Sequence, residues 1–484
     1  MKDRPPNLLL VFGDEMRWHD MGHAGNSEVH TPNIDCLATQ GVSFSRAVAN
    51  CPVCTPSRGT MLTGLHAHKH GALSNDVPIR TDVPTLGTVL RDAGYATGYI
   101  GKWHLDGMPR NRFTPPGPRR LGFDHYWAVW NCHHDYFHGK YYEDTPEVHT
   151  IRGYEPDTQT EMAIDFMRRH RQDPFALALS WGPPHGPLEL VPDRYRLRYE
   201  PGELTLRANV MPENIGRWTL ACAAKAFRST SSTDSDSSPD IEHRIRESIA
   251  DYYAAITALD ADLGCLLAAL RQLELEDSTV VIFTSDHGSM LWSHGRIRKQ
   301  QPWMETVLVP FVISAPGQMP AGLRTDKLVG LVDLLPTALE LLGQEIPEGI
   351  DGKSVCKAVL GEEPGAESAF LGVPVPVDGI TQEGVDRGWR GVLTDRFTYA
   401  CWEDGRGWVL YDNEKDPYQM SNLIDDSEAL TLQARMDDVL RRCMEQVGED
   451  FSPWQEYLRR SGVVHEWNMR ERMSYVDDGR QVVD

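Results

Sequence analysis

Apolar residues in this chain come in short continuous runs separated by longer amphipathic stretches. The runs 7–12 (Asn-Leu-Leu-Leu-Val-Phe), 175–180 (Phe-Ala-Leu-Ala-Leu-Ser), 279–285 (Thr-Val-Val-Ile-Phe-Thr-Ser) and 310–314 predict strands buried on both faces, as in a mostly parallel sheet. Helical spacing appears at 157–170, 243–273 and 333–342, and shorter helices are predicted at 30–41, closed by Gly41, and at 85–93, ended by Gly94. Alternating strands and helices predict an α/β fold with helices on both faces of a central sheet. Past residue 365 the pattern changes. Short strand candidates at 369–373, 390–393, 397–402 and 408–411, then a helix at 428–447, predict a small α+β unit with a four-stranded antiparallel sheet. The expected domains are therefore 1–365 and 366–484.

Two strand ends carry acidic residues. The first run leads into Gly13-Asp14-Glu15 and the third into Asp286-His287-Gly288, and in open α/β sheets functional groups gather past the carboxyl ends of strands. Taken alone, Asp14 reads equally well as a helix N-cap. A third strand, near 96–101, runs into Lys102-Trp103-His104. In extended chain residues two apart point the same way, so Lys102 and His104 are expected to project together. His185 lies in Trp181-Gly-Pro-Pro-His-Gly-Pro187, where flanking prolines hold it in place at little further entropic cost.

The stretch Cys51-Pro-Val-Cys54-Thr-Pro-Ser-Arg58 running to Leu62-Thr63-Gly64 predicts a helix with Pro56 in its first turn. Cys54 then sits at the helix start, where free amides favour an anion, and Arg58 lies one turn on along the same face. Cys51 and Cys54 also form a Cys-x-x-Cys pair, but no second such pair occurs among the nine cysteines, so a four-cysteine zinc site is not expected. His66, His68 and His70 read as exposed loop histidines. The aromatic, histidine-rich segment 109–144, with Asn131, His133 and His134, reads as a wall of the substrate pocket. Residues 228–240 are a low-complexity serine-rich stretch, read as a mobile surface loop.

A formal charge of −22 over 484 residues argues against nucleic-acid binding through the general surface. The odd, scattered cysteines suit a reducing compartment. The N-terminus shows no secretory pattern, and no run approaching the length of a membrane span is expected. The expected location is cytoplasmic, or periplasmic or secreted if a leader has been removed.

The Cys54-to-Arg58 pentapeptide and Leu62-Thr63-Gly64, together with Asp14-Glu15, Gly101-Lys102-Trp103-His104, His185, Asp286-His287-Gly288 and Lys299, resemble in order the motifs of the type I sulfatases. The resemblance covers nearly the whole chain and implies the alkaline-phosphatase superfamily fold. It implies that Cys54 is oxidised by a maturation enzyme to formylglycine, whose hydrated aldehyde is the nucleophile. It further implies a divalent metal, Ca²⁺ or alternatively Mn²⁺ or Mg²⁺, held by Asp14, Asp286, His287 and the residue-54 hydroxyl, with Glu15 less regular in the family at its position. Arg58, Lys102 and Lys299 would manage charge, His185 or Lys299 would protonate the leaving oxygen, and His104 would take a proton from residue 54. The implied substrate is a small-molecule or oligosaccharide sulfate ester, with Asn75 as a sulfate or substrate contact, and the polar-aromatic segment 127–142, whose aromatic faces and Asn, His and Asp edges suit sugars, points to a sulfated carbohydrate. The alternatives are an aryl or choline sulfatase, a phosphonate or phosphate ester hydrolase of the same superfamily, and a non-catalytic glycan binder if Cys54 stays a thiol.

Overall fold

The computed structural model describes residues 4–216, 219–220, 223, 238–377, 387–424 and 426–469. Residues 228–237 of the serine-rich stretch, and 470–484 at the end of the chain, lie outside the described residues.

The strands of the main body are β1 (Asn7–Asp14), β2 (Val42–Val48), β3 (Ala96–Lys102), β4 (Tyr126–Trp130), a small ribbon of β5 (Lys140–Tyr141) and β6 (His149–Thr150), then β7 (Phe175–Pro184), β8 (Thr279–Ser285), β9 (Phe311–Ser314) and β10 (Leu323–Gly330). Eight of them form one sheet in the order β10-β2-β9-β8-β1-β7-β3-β4. Only β9 runs antiparallel to its neighbours, β2 and β8; the other pairings are parallel. β1 lies near the middle, and its period-2 side chains divide between two cores. Leu8, Leu10 and Phe12 enter the core shared with the Cys54–Thr63, Leu86–Asp92 and Leu334–Leu341 helices. Leu9 and Val11 enter the core shared with the Pro32–Gln40, Glu155–Arg169 and Ser238–Gln272 helices. Burial on both faces is why the run reads as uninterrupted apolar sequence.

The stretch Ile241–Gln272 is long and apolar enough to cross a membrane, contrary to the expectation from sequence, but 78% of its most apolar window is buried inside the molecule. It is the central helix of one core, where Ile245, Ile256, Leu259, Leu263 and Leu266 pack on the sheet.

The second sheet is antiparallel in the order β11 (Ser368–Val373), β12 (Trp389–Thr394), β13 (Phe397–Trp402), β14 (Gly407–Asp412). One face is covered by the Leu430–Val447 helix through Met436, Leu440 and Cys443. The other face presents Leu371, Trp389, Ala400 and Val409 to Val48, Val53, Met290, Trp303 and Val307 of the main body. The small sheet thus buttresses both the approach to the Cys54 helix and the loop after β8.

The segment 109–144 departs from its expected role. Its middle forms edge strand β4, and Trp127 is buried with Tyr99 and Trp103 in the core, beneath the Arg120 guanidinium. Trp130 stacks on Tyr142 at 4.9 Å. Most of this aromatic content is spent closing a sheet edge and not on lining a pocket. His66 and His70 are also buried, against expectation. The His70 ring stands against the Cys54 helix, with Thr60 Oγ1 3.2 Å from Nε2 and the Ala72 amide donating to Nδ1.

Candidate active site

The Cys54–Thr63 helix begins at the cysteine itself, Val53 being extended, and all ten residues are buried. The Thr55 amide donates to Asn75 Oδ1 at 3.1 Å, so Asn75 satisfies one of the free helix-start N–H groups. Asn75 thus holds the start of the residue-54 helix through its carbonyl oxygen.

Around the Cys54 sulfur stand Lys299 Nζ at 3.0 Å, His287 Nε2 at 3.3 Å, Asp14 Oδ1 at 3.7 Å and Lys102 Nζ at 4.0 Å. Three segments distant in sequence meet here because β1, β8 and β3 end on the same side of the sheet. Burial and Asp14 would both raise the thiol, but Lys102, Lys299 and His287 draw it well below its ordinary value. This is a site built to stabilise negative charge on residue 54.

Asp14, Cys54, Asp286 and His287 present ligand atoms all within 4.8 Å of one another, and all four residues are buried. His287 Nδ1 donates to the Gly288 carbonyl at 2.8 Å. A carbonyl only accepts, so the proton sits on Nδ1 and the Nε2 lone pair faces the cluster, as in a metal-ligating imidazole. Asp286 Oδ1 accepts from the His287 and Glu15 amides at 2.9 and 3.1 Å. Two wholly buried carboxylates and an oriented imidazole fit a divalent cation. Glu15 does not join this set. Its backbone turns away in the left-handed region at φ 71°, and its carboxylate lies 3.4 Å from both Lys299 Nζ and His185 Nε2. Its carboxylate thus pairs with those two cationic or titratable side chains. With Asp14 and His185 it also forms a second group whose ligand atoms lie close enough to hold a metal ion.

Arg58 also departs from expectation. Its four hydrogen bonds go to Asp286 Oδ2 (2.9 Å), Asp14 Oδ2 (3.1 Å), the Lys102 carbonyl and Ser180 Oγ (both 2.7 Å). The guanidinium lies behind the carboxylates, fully buried, and fixes them in place; it does not face an incoming anion. Lys102 bonds Asp14 Oδ2 as well as approaching Cys54.

His104 reaches the site, but not by strand alternation. β3 ends at Lys102, and His104 takes φ 56°. Its Nε2 lies 3.1 Å from Asp76 Oδ1. Burial would lower this imidazole, but Cys132 first and then Asp76 push it up to about 10. The Cys132 thiol is in turn drawn down to about 6; burial opposes this, and His104 and Lys102 outweigh it. His185 donates from Nδ1 to the Gly186 carbonyl at 2.8 Å and is pushed down to about 4 by burial and Lys299. His134 stacks on it with centroids 4.1 Å apart, which makes His134 a support for His185. His133 is paired with Glu155 at 3.1 Å. Asn131 spends its amide on the loop backbone, donating to the Gly107 carbonyl at 2.7 Å and accepting from the Asp106 amide at 3.4 Å. The substrate contacts expected of Asn131 and His133 are corrected to loop and ion-pair roles. Asp76, Arg110, Cys132 and Ser180 were missed from sequence, because each acts through a partner at least 28 residues away.

Comparison with known proteins agrees with this geometry. The Sulfatase family model matches residues 6–344, and a model described as N-sulphoglucosamine sulphohydrolase, C-terminal, matches residues 293–446. The chain is 34% identical over 471 residues to an ulvan-active sulfatase of Formosa agariphila, covering 96% of this chain and 86% of that protein. It is 28% identical to an endo-4-O-sulfatase of Bacteroides thetaiotaomicron, over 86% of this chain and 88% of the relative. Among solved structures, BT4656 in complex with D-glucosamine-2-N,6-O-disulfate superposes with a TM-score of 0.79 at 23% identity, over 93% of this chain and 99% of that one. A phosphonate monoester hydrolase of Agrobacterium radiobacter shares the fold at a TM-score of 0.71 and 22% identity, over 91% and 96%. With its nucleophile position, buried ligand cluster and whole-length kinship accounted for, the chain belongs to the sulfatase family of the alkaline-phosphatase superfamily and is a sulfuric ester hydrolase.

Proposed function

We propose that the substrate is a sulfated carbohydrate, hydrolysed with formylglycine at position 54 and Ca²⁺ in the Asp14–Asp286–His287 cluster. The observation that carries the reading is the ring of Lys299, His287, Asp14 and Lys102 within 4.0 Å of the residue-54 side chain. Ca²⁺ suits the carboxylate oxygens, and the imidazole of His287 also admits Mn²⁺ or Mg²⁺. When present, the ion supplies Lewis acidity toward a sulfate oxygen and lowers the pKa of a coordinated hydroxyl. Conversion of Cys54 by a maturation enzyme supplies a hydrated aldehyde, whose hydroxyl is the nucleophile.

The chain's own residues do the rest. Lys102 and Lys299 hold negative charge that develops around sulfur, in a site with almost no solvent. Lys299 keeps its proton, since burial is outweighed by Cys54 and Glu15, and it is the donor to the departing oxygen. His185, drawn low by burial and Lys299, orients that oxygen as a neutral ring. His104, neutral when the proton it shares with the neighbouring Cys132 rests on sulfur, accepts the proton that residue 54 gives up when sulfate is expelled.

Support for a sugar comes from relatives named as an ulvan-active sulfatase, an endo-4-O-sulfatase and an N-acetylglucosamine-6-O-sulfatase. Sulfate release from a panel of sulfated oligosaccharides, set against an aryl sulfate and a phosphonate monoester, tests the proposal. Turnover of an oligosaccharide is expected, and activity confined to the aryl ester or the phosphonate would overturn it.

A further inference from the structure

We propose that Asp76, braced by Arg110, is a positioning residue that keeps the His104 proton on Nε2 and leaves Nδ1 as the atom that exchanges a proton with residue 54. The inference rests on the role given above to His104.

Asp76 is 1% exposed and is engaged through both of its carboxylate oxygens. Oδ1 accepts from Arg110 Nε at 2.9 Å and from His104 Nε2 at 3.1 Å, while Oδ2 accepts from Arg110 Nη2 at 2.7 Å. The fork-on-carboxylate contact fixes the plane of the acid. An ionised carboxylate can only accept, so the His104 nitrogen facing it must carry hydrogen. The other ring nitrogen, Nδ1, is buried and makes no close hydrogen bond among the described residues, and the Cys54 and Cys132 thiols are the groups that act on the ring from the side away from Asp76. A buried ring nitrogen with no close partner is costly unless it is used.

The backbone is arranged to the same end. Asp76 and His104 both hold left-handed conformations, at φ 64° and 56°, uncommon for residues other than glycine and concentrated at functional sites. Asn75, the residue before Asp76, accepts from the Thr55 amide, and Thr55 Oγ1 donates to the His104 carbonyl at 2.8 Å. The start of the nucleophile's helix, the acid and the imidazole therefore form one hydrogen-bonded unit. The step served is a simple transfer. The residue-54 O–H bond breaks, its proton moves to Nδ1, the electron pair re-forms the aldehyde carbonyl, and sulfate departs with its bridging oxygen. The imidazolium so formed sits against the Asp76 carboxylate.

The test uses Asp76→Asn, whose amide can donate to Nε2 and so favours the opposite tautomer. In full-length protein carrying ¹⁵N-histidine, the His104 ring signals are expected to show Nε2 protonated in the wild type and the pattern reversed in D76N. In the matured enzyme kcat is expected to fall about 100-fold or more with KM nearly unchanged, with the melting temperature kept and part of kcat restored in Asp76→Glu. His104→Ala separates the two readings: if it retains wild-type kcat, the role of His104 itself is wrong. If His104→Ala loses turnover while D76N keeps both wild-type kcat and the wild-type ring signals, the role of Asp76 is overturned. Should D76N fail to fold, Arg110→Met is expected to lower kcat with a stable fold, and unchanged kcat in that variant would count against the proposal.

Discussion

Arg58 Nε lies 2.9 Å from Asp286 Oδ2, and both side chains are wholly sealed from solvent. With its other branch on Asp14 at 3.1 Å, the guanidinium clamps together the two carboxylates that face the candidate metal position. Two acids this close repel each other, and the repulsion shows in Asp286, whose carboxyl is pushed up by burial and by Asp14.

Removing the clamp with Arg58→Met leaves that repulsion uncompensated. The expected result is a loss of about 3–5 kcal/mol in stability, as for other broken buried pairs, together with loss of bound metal and turnover. Denaturant unfolding and elemental analysis check it, and a variant that keeps its metal would show the clamp to be dispensable.

Lys299→Met removes the cation nearest residue 54. A drop in kcat of roughly 10²–10³-fold is expected, with far-ultraviolet circular dichroism unchanged. A change confined to KM would place Lys299 in ground-state binding instead.

Chelation should abolish activity and also lower the melting temperature, because an ion that binds only the folded state stabilises it by about 2.7 kcal/mol at a hundredfold excess over its Kd. Re-addition of Ca²⁺, Mn²⁺ or Mg²⁺ in turn identifies the ion that restores both properties.

Gly59 lies where the nucleophile's helix touches His70. A Cβ there would stand 2.6 Å from His70 Cε1, and the ring is held on both sides by Thr60 and the Ala72 amide. Gly59→Ala is expected to cost roughly 1–3 kcal/mol by overpacking, despite alanine's better helix propensity. Urea titration reads the sign directly.

Asp262 gives a pH prediction away from the catalytic groups. Burial, then Asp157, raise its carboxyl from 3.8 to about 8, and its Oδ2 has no hydrogen-bond partner among the described residues. The folded state therefore binds the extra proton between those limits, and this group makes stability fall as pH rises from about 4 to about 8. Asp262→Asn removes that slope and should stabilise the protein at pH values near 8 by roughly 1–3 kcal/mol. Melting curves of the two proteins across that range should converge toward the acid end.

The sheet and its two cores were legible because β1, β7 and β8 are apolar runs with charged ends, and burial on both faces leaves that mark. The four short strands of the C-terminal sheet were legible within a residue or so of their observed ends. β4 was not: Trp127 and Trp130 look the same in sequence whether they line a pocket or close a sheet edge. The ligand cluster was readable from Asp14, Asp286 and His287, since each follows a strand. The pairing of Glu15 with Lys299 and His185 was not legible, because adjacency to Asp14 says nothing about a backbone that turns left-handed at Glu15. Arg58 was placed on the right face of its helix, yet no spacing rule reveals that Asp14 and Asp286 arrive behind it. Asp76 lay beyond reach for the same reason, its partners being His104 and Arg110 on other loops.

The central place of β1 sets an order of events during synthesis. Its partners are residues 175–184 and 279–285, so β1 is made long before it can gain both neighbours. Until β8 has emerged, one edge of β1 stands open, exposed to wrong pairing, and Asp286 and His287 are not yet beside Cys54. In the finished molecule Cys54 is 1% exposed. The growing chain thus holds its reactive segment open through some two hundred residues of synthesis, and that is the interval in which an enzyme converting Cys54 would have access to it.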